Sequence, residues 1–256
     1  MAKDQSIDVP SDLRRGGYVA RFARTDGDVA AAGALRHLCF IERAGLPART
    51  NGLDSDHFDA LCDHVLVENA DGQVVCCFRV LSLRSGADIG MSYSAQYYDL
   101  EQLSGYSLPM VELGRFCVHP DAVDADVLRI AWGMLAAFVD MRGAAMLFGC
   151  ASFEGTNAAP YAQAFDLLSA RHLAPSRWRP AIKSTDVVDF GASAKPITDH
   201  RRAMGQIPSL LKTYLTMGGW VSDHAVIDRD MNTLHVFTGV EIATIPAARA
   251  QALRAI

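Results

Sequence analysis

The chain is predicted to fold as an α/β (α+β) domain in which a mixed central sheet is flanked by helices. Three observations predict it. Residues 18–23 alternate like a strand and lead into an alanine-rich stretch opened by a Thr-x-x-Asp box at Thr25 and Asp28. Asp71-Gly72 joins two apolar runs, a strong hairpin signal. Residues 111–118 and 146–151, apolar runs with polar groups at fixed offsets, bracket a segment of helical apolar spacing, which makes a strand–helix–strand unit.

Residues 1–16 are polar and read as a flexible N-terminal tail; residues 17–256 read as one domain, with a C-terminal extension from about 173. After the first strand, the capped helix runs to about Ala44, with Gly45 as its stop. Residues 46–60 are loop-like, and 63–68 and 74–81 are the hairpin strands. A connector rich in Ser, Gly and Tyr spans 83–110, followed by the strand at 111–118. The helix from Val127 to about Met141 buries Leu128, Ala131, Trp132, Leu135, Phe138 and Val139 at helical spacing. A strand at 146–151 and a helix at 158–172, with Pro160 in its first turn, complete the core. Beyond it, 173–206 reads as irregular, 208–217 as a short amphipathic helix ending at Gly218-Gly219, and 225–227 with 234–240 as a hairpin around Asp-Arg-Asp-Met-Asn. No linker divides the chain.

Half of the residues are hydrophobic and 21% charged, ordinary for a globular enzyme. A net charge of −5 argues against nucleic acid as a partner. No apolar stretch approaches the roughly 20 residues that cross a bilayer, and the start lacks an apolar signal region, so a cytoplasmic location is expected, with peripheral contact at the inner membrane as an option. The six cysteines include no C-x-x-C pair and read as buried thiols. The spacing of His57, Cys62, Asp63 and His64 is too loose for a tetrahedral site, so no metal is expected.

Chemistry concentrates in Glu112-Leu-Gly-Arg115. Two charges three residues apart point to opposite faces of a regular strand, so either they serve different pockets or the strand bulges. One reading makes Glu112 the group that handles an amine; the other makes Glu112 and Arg115 a structural ion pair. An ordinary glutamate, with a pKa near 4.3, falls roughly 3 to 4 pH units short as a base for an α-amine near 8. The first reading therefore requires burial to raise Glu112, or a water chain to carry the proton.

The order βα, antiparallel strands, βαβα is that of the GNAT-type acyltransferases, whose central sheet splays at its middle. The run from Val111 to Asp121 resembles the acyl-homoserine-lactone synthases, and Arg36 with Phe40 on the first helix, Asp56 with Asp59 in the loop, Arg79 on a strand, and Glu112 with Arg115 match their shared constellation in order and approximate spacing. Those synthases bind S-adenosylmethionine, and that resemblance stops near residue 150. A longer one, over most of residues 20–240, is to the N-acyltransferases of ornithine-lipid synthesis. It rests on Cys62-Asp63-His64, Leu147-Phe-Gly-Cys-Ala-Ser152 with Gly155-Thr156, Leu173-Ala-Pro with Trp178-Arg179, and Leu210-Leu-Lys-Thr-Tyr-Leu-x-x-Gly-Gly-Trp220. Phe116 stands where a small residue is expected and Asn157 where Asp is expected.

The resemblance implies a bulged strand whose freed N–H near Cys117 and Val118 bonds the thioester carbonyl, with Glu112 and Arg115 catalytic and Tyr161 protonating the departing thiolate. It implies an acceptor site from Arg36, Phe40, Asp56, Asp59, Arg79, Ser152 and Asn157. Direct transfer is favoured, because Cys117 and Cys150 sit in apolar strands without a local base.

The donor follows from His119-Pro-Asp-Ala-Val-Asp-Ala-Asp126. A coenzyme A pyrophosphate needs a glycine-rich loop of free N–H groups, and here three aspartates crowd the helix start. An acyl chain on the phosphopantetheine of acyl carrier protein, with a single phosphodiester, fits better, so no separate cofactor is expected. Arg171, Arg177, Arg179, Lys183, Arg201, Arg202 and Lys212 are candidates to dock that acidic protein. The implied function is transfer of a 3-hydroxyacyl chain to the α-amine of an amino acid, making a lyso-aminolipid. Ornithine is the first acceptor and glutamine the second. A carboxylate in the side-chain pocket would favour ornithine, with Asp56 or Asp59 to supply it. Signal synthesis from S-adenosylmethionine and a non-catalytic acyl-carrier binding module are the alternatives.

Overall fold

The computed structural model describes residues 9–49, 51–122, 124–191 and 199–255. The chain runs β1 (Leu13–Arg15), β2 (Tyr18–Phe22), α1 (Asp26–His37), β3 (Asp63–Glu68), β4 (Val74–Leu83), β5 (Tyr98–Asp99), α2 (Glu101–Ser104) and β6 (Met110–Val118). It continues with α3 (Ala125–Met141), β7 (Met146–Glu154), α4 (Ala162–Arg171), β8 (Ala181–Ile182), β9 (Val187–Asp189), α5 (His200–Gln206), α6 (Ser209–Thr216), β10 (Trp220–Val221), β11 (His224–Asp228), β12 (Thr233–Glu241) and α7 (Ala247–Arg254).

One sheet organises the molecule, in the order β1-β2-β3-β4-β6-β7-β12-β11-β9 with β10 beside β12. All pairs are antiparallel except β6 and β7, whose connection through α3 makes them parallel. Val111, Leu113, Leu147, Ala151 and Phe153 face α3, α4 and α6 in the largest core cluster. The opposite face, carrying Leu81, Phe148 and Phe237, is covered by the connector and α2. Farther along that face α1 sets Ala32 and Leu35 against Leu66 and Cys77.

The local signals act as chemistry requires. Thr25 and Asp28 form a reciprocal capping box at α1, and Gly72 turns the hairpin at φ 78°. Three expectations are corrected. Residues 13–15 are not tail: they pair with β2, and Arg15 ion-pairs with Asp126 at 2.9 Å. Residues 1–8 lie outside the described residues. The first helix does not run regularly to Ala44; after His37 it widens into a π-helical turn, Leu38–Glu42, before Gly45 takes a left-handed φ of 65°. The stretch 173–206 is not irregular throughout: it contributes β8, β9 and α5, with β9 extending the sheet beside β11. Residues 192–198, with Pro196, lie outside the described residues. Among those described, no helix is long and apolar enough to cross a membrane.

Candidate active site

The site is made by a seam in the sheet. β6 and β7 pair only from Met110↔Met146 to Leu113↔Gly149, yet β6 continues to Val118 and β7 to Glu154. Gly149 is required where the pairing ends, because a Cβ there would strike the Leu113 carbonyl oxygen. Just beyond, the β4–β6 register shifts, with Arg79↔Gly114 on one side and Cys77↔Cys117 on the other. Arg115 takes φ 52° inside this bulge, a conformation that costs a non-glycine residue energy and persists only where side-chain contacts fix it. The expected bulge is thus present. His119 donates to the Val75 carbonyl at 2.7 Å, so by antiparallel alternation the Val118 N–H points away from β4, toward the open side of the seam.

A cavity of about 540 Å³ occupies the seam, lined by β6 residues 112–116, β7 residues 149–154 and parts of α6, β11 and β12. It is walled from both faces of the sheet. Register places Glu112, Phe148, Cys150, Ser152 and His235 on one face. Phe116 reaches the other, stacked on Phe78 at 5.4 Å and beside Trp132 at 6.0 Å, and Tyr214 of α6 joins it there. A second hollow of about 480 Å³, between residues 9–12 and Asp63, holds neither Glu112 nor Arg115.

Glu112 is 5% exposed. Its Oε2 accepts the Tyr93 N–H at 2.8 Å, and its Oε1 accepts the Ser94 N–H at 2.8 Å and the Ser94 hydroxyl at 2.6 Å. These three donors leave one of four lone-pair sites open, on Oε2. Burial raises the carboxyl pKa above its ordinary value, against the opposing pull of the Ser94 and Tyr93 donors and the charge of Arg79. The shift has the direction an amine-handling glutamate requires. No Glu112–Arg115 ion pair forms, because the bulge turns Arg115 toward Asp54 at 3.0 Å and Asp56 at 3.3 Å.

Arg115 belongs to a buried network that absorbs much of the predicted constellation. Arg36, 1% exposed, pairs with Asp54 at 3.0 Å and Asp59 at 2.8 Å; Arg79, 3% exposed, reaches both Asp56 and Asp59 at 2.6 Å. Burial pushes the Asp59 carboxyl up, and the hydrogen bonds and charges of Arg36 and Arg79 outweigh it, leaving it well below the usual carboxylate range. Asp56 receives two bonds from Arg79, one from the Phe58 N–H and one from Arg115. Asp59 receives two from Arg36, one from Arg79 and one from the Asp56 N–H. Neither carboxylate keeps a free lone pair for a substrate ammonium, which corrects their expected part in the side-chain pocket. Arg36 lies behind them, off the cavity wall, and holds the loop to α1 instead of touching a substrate.

The other candidates divide. Phe40, brought round by the π-helical turn, lines the cavity with Arg79 and Ser152. Cys117 is turned into the core, 3.5 Å from the Cys77 sulfur, so only its stretch of backbone concerns the seam. Asn157 caps the turn before α4, accepting from the Ala159 N–H at 3.0 Å. Tyr161 donates its hydroxyl proton to the Glu154 carbonyl at 2.9 Å and is off the cavity lining. Two phenols stand on the wall, Tyr93, whose hydroxyl meets that of Tyr97, and Tyr214, whose hydroxyl has no hydrogen-bond partner among the described residues. Burial pushes the Cys150 thiol up to about 12, which removes it as a nucleophile at neutral pH.

Residues that sequence reasoning missed are Tyr93 and Ser94 from the connector, Tyr97, His235 and Asp228. The Ser-Tyr-Ser run at 92–94 was the available signal for a turn rich in donors. Of the basic residues, Arg177 pairs with Glu241, Arg179 bonds the Ala174 carbonyl and Lys183 bonds the Ala95 carbonyl. Arg201 and Arg202 stand exposed on the first turn of α5, and Lys212 is half-buried on α6.

A match to the acetyltransferase (GNAT) domain family covers residues 35–133. The L-ornithine N(alpha)-acyltransferase of Rhodobacter capsulatus is 36% identical over 229 residues, which are 86% of this chain and 88% of that one. The protein of the same name from Brucella abortus is 29% identical over 244 residues, 91% of this chain and 87% of that one. The crystal structure of the AHL synthase LasI aligns over 92% of this chain and 94% of its own, at TM-score 0.46 and 16% identity. Identity at the level of the first relative, spread over most of both chains, places this amino-acid N-acyltransferase in the L-ornithine N(alpha)-acyltransferase family.

Proposed function

We propose that the chain moves a 3-hydroxyacyl group from acyl carrier protein to the α-amine of an amino acid, ornithine first, and so makes a lyso-aminolipid for membrane lipid synthesis. The observation that carries this reading is the buried Glu112, with its raised pKa and one open lone-pair site at the seam of a splayed sheet. The names of the relatives support ornithine as acceptor.

In this reading the amine gives its proton to Glu112 Oε2, directly or through water, and its nitrogen attacks the thioester carbon. The carbonyl becomes an oxyanion beside the Val118 N–H on the open edge of β6, a donor that need not reorganise as charge develops. Collapse forms the amide and expels the phosphopantetheine thiolate. Tyr214, on the face opposite Glu112, supplies the proton that the thiolate takes, in place of Tyr161. Tyr214 is buried, and burial with the nearby Glu112 and Cys150 raises its phenol, so it is protonated at neutral pH; it hands its proton to the thiolate as the second proton leaving the nitrogen replaces it, because the phenolate is the stronger base of the two.

The donor reading rests on the start of α3. Asp124 caps it, accepting from the Asp126 N–H at 2.9 Å, and Asp121 stands exposed beside it, with no glycine loop between β6 and the helix. Asp126 is neutralised by Arg15 and Arg129, both at 2.9 Å, so repulsion of a pyrophosphate falls to Asp121 and Asp124. The test is to incubate purified protein with 3-hydroxyacyl carrier protein, a panel of amino acids and S-adenosylmethionine, and to identify products by mass spectrometry. An N-acyl amino acid is the expected product. A homoserine lactone, or no product with any acceptor, would overturn the reading.

A further inference from the structure

We propose that Asp228 forms the side-chain subsite of the acceptor and selects an amino acid whose side chain ends in a cation. The proposal rests on the acyl-transfer reading given above. Register fixes where this carboxylate points. Asp228 lies opposite Thr233 on β12, two residues from His235, and His235 lies opposite Ser152 on β7. Side chains of paired residues, and of residues two apart, share a face, so Asp228 stands on the same face as Ser152, Cys150 and Glu112. It belongs to the cavity wall and is 6% exposed.

Its partners are too few for a buried carboxylate. Oδ1 accepts the Met231 N–H at 3.0 Å, and Oδ2 receives only the Tyr97 hydroxyl at 3.4 Å. Among the described residues no Arg, Lys or His lies within ion-pairing distance of it, whereas Asp54, Asp56 and Asp59 each hold at least one arginine. Buried carboxylates are ordinarily paired. A cation carried in by the substrate is the partner this one lacks, and two of its lone-pair sites are open to receive it.

A chain of contacts links it to Glu112. Tyr93 gives its N–H to Glu112 at 2.8 Å and meets Tyr97 hydroxyl to hydroxyl at 3.3 Å, and Tyr97 reaches Asp228. One pair of tyrosines therefore spans the interval between the two carboxylates. A diamino acid of ornithine's length separates its nitrogens by roughly 6 Å when extended, from ordinary C–C and C–N bond lengths. With its α-amine at Glu112, its terminal ammonium points along this tyrosine wall toward Asp228.

The experiment compares kcat/KM for ornithine, glutamine and norvaline, the last being ornithine without its terminal nitrogen, in the parent enzyme and in Asp228→Asn. The parent should prefer ornithine to norvaline by more than tenfold. In Asp228→Asn that ratio should collapse toward one, with the loss for ornithine about 10- to 100-fold and mainly in KM, the size of a charged hydrogen bond. Asp228→Glu should restore part of the preference. A parent without preference for ornithine over norvaline, or an Asp228→Asn loss equal for both, would overturn the subsite while leaving acyl transfer standing. If Asp228→Asn does not fold, Asp228→Glu decides: a lowered ornithine-to-norvaline ratio supports the subsite, and an unchanged one overturns it. A parent that acylates none of these acceptors removes the acyl-transfer reading itself, and the subsite with it.

Discussion

Ser94 holds Glu112 twice, through its backbone N–H at 2.8 Å and its hydroxyl at 2.6 Å, both on Oε1. The pairing leaves Oε2, with one donor, as the working oxygen. It also sets the carboxyl pKa between two opposed effects, since burial raises it and the Ser94 bonds lower it. Glu112→Gln should cut kcat by about 100-fold or more, in line with the loss of a general base, with circular dichroism unchanged. In the parent, kcat/KM should rise with pH through the elevated pKa of Glu112, as the base form appears. Ser94→Ala removes a donor that favours the charged form, so this limb should move to higher pH. A limb that moves down, or stays in place, would show that Glu112 does not govern the profile.

The arginine–aspartate network should behave as structure first. Arg36→Met leaves Asp54 and Asp59 buried with fewer partners, so unfolding in denaturant should show a loss of about 3 to 5 kcal/mol. Arg36→Met with Asp59→Asn should recover part of that loss, because the stranded charge is gone. Simple additivity of the two substitutions would mean that the pair is not energetically coupled.

His235 gives the fold an acid-side weakness. Burial, with the charges of His224 and Arg115, lowers its pKa from 6.5 to about 4. The unfolded chain therefore binds the proton first, and stability falls as pH drops from about 6.5 through 4. The contribution is on the order of 3 kcal/mol at most. His235→Gln should flatten this part of the stability–pH curve measured by urea titration. Equal slopes in parent and variant would place the acid sensitivity elsewhere.

Donor choice should follow charge. Arg201→Glu with Arg202→Glu should slow association with acyl carrier protein and weaken its salt dependence, while a small pantetheine thioester is affected far less. Acyl-coenzyme A should be the poorer donor, and Asp121→Asn with Asp124→Asn should narrow the gap, whereas Asp126→Asn breaks the link to Arg15. Stopped-flow association and side-by-side kcat/KM values measure both effects. Equal use of the two donors by the parent enzyme would defeat the loop argument.

Much of the frame was legible in local chemistry. The Thr25–Asp28 box, the Asp71-Gly72 turn and the parallel pair around α3 are short-range signals that tertiary contacts reinforce. The site was legible as a set of residue types and not as a set of contacts. The resemblance to the acyl-homoserine-lactone synthases brought Asp56, Asp59, Arg79 and Arg115 together, but the choice of which charges neutralise one another depends on burial, and the arginines took both aspartates. Tyr93 and Ser94 lay in a stretch without periodicity, where position is fixed by Glu112 itself. Asp228 read as the first residue of a turn; it is the last residue of β11, and only pairing with β12 gives its side chain a direction.

The seam also has a mechanical meaning. The two halves of the sheet are joined along β6 and β7 by four residue pairs, whereas β7 and β12 share nine. Past Leu113 and Gly149 the edges of β6 and β7 face each other without ladder bonds. Widening there costs packing but breaks no sheet hydrogen bond, so the groove can spread for a bulkier acyl chain and close again while the backbone on either side stays intact. Chain-length tolerance would then be a property of how Phe116, Trp132 and Tyr214 repack, and amide exchange would be slow on both flanks of a gap that itself yields.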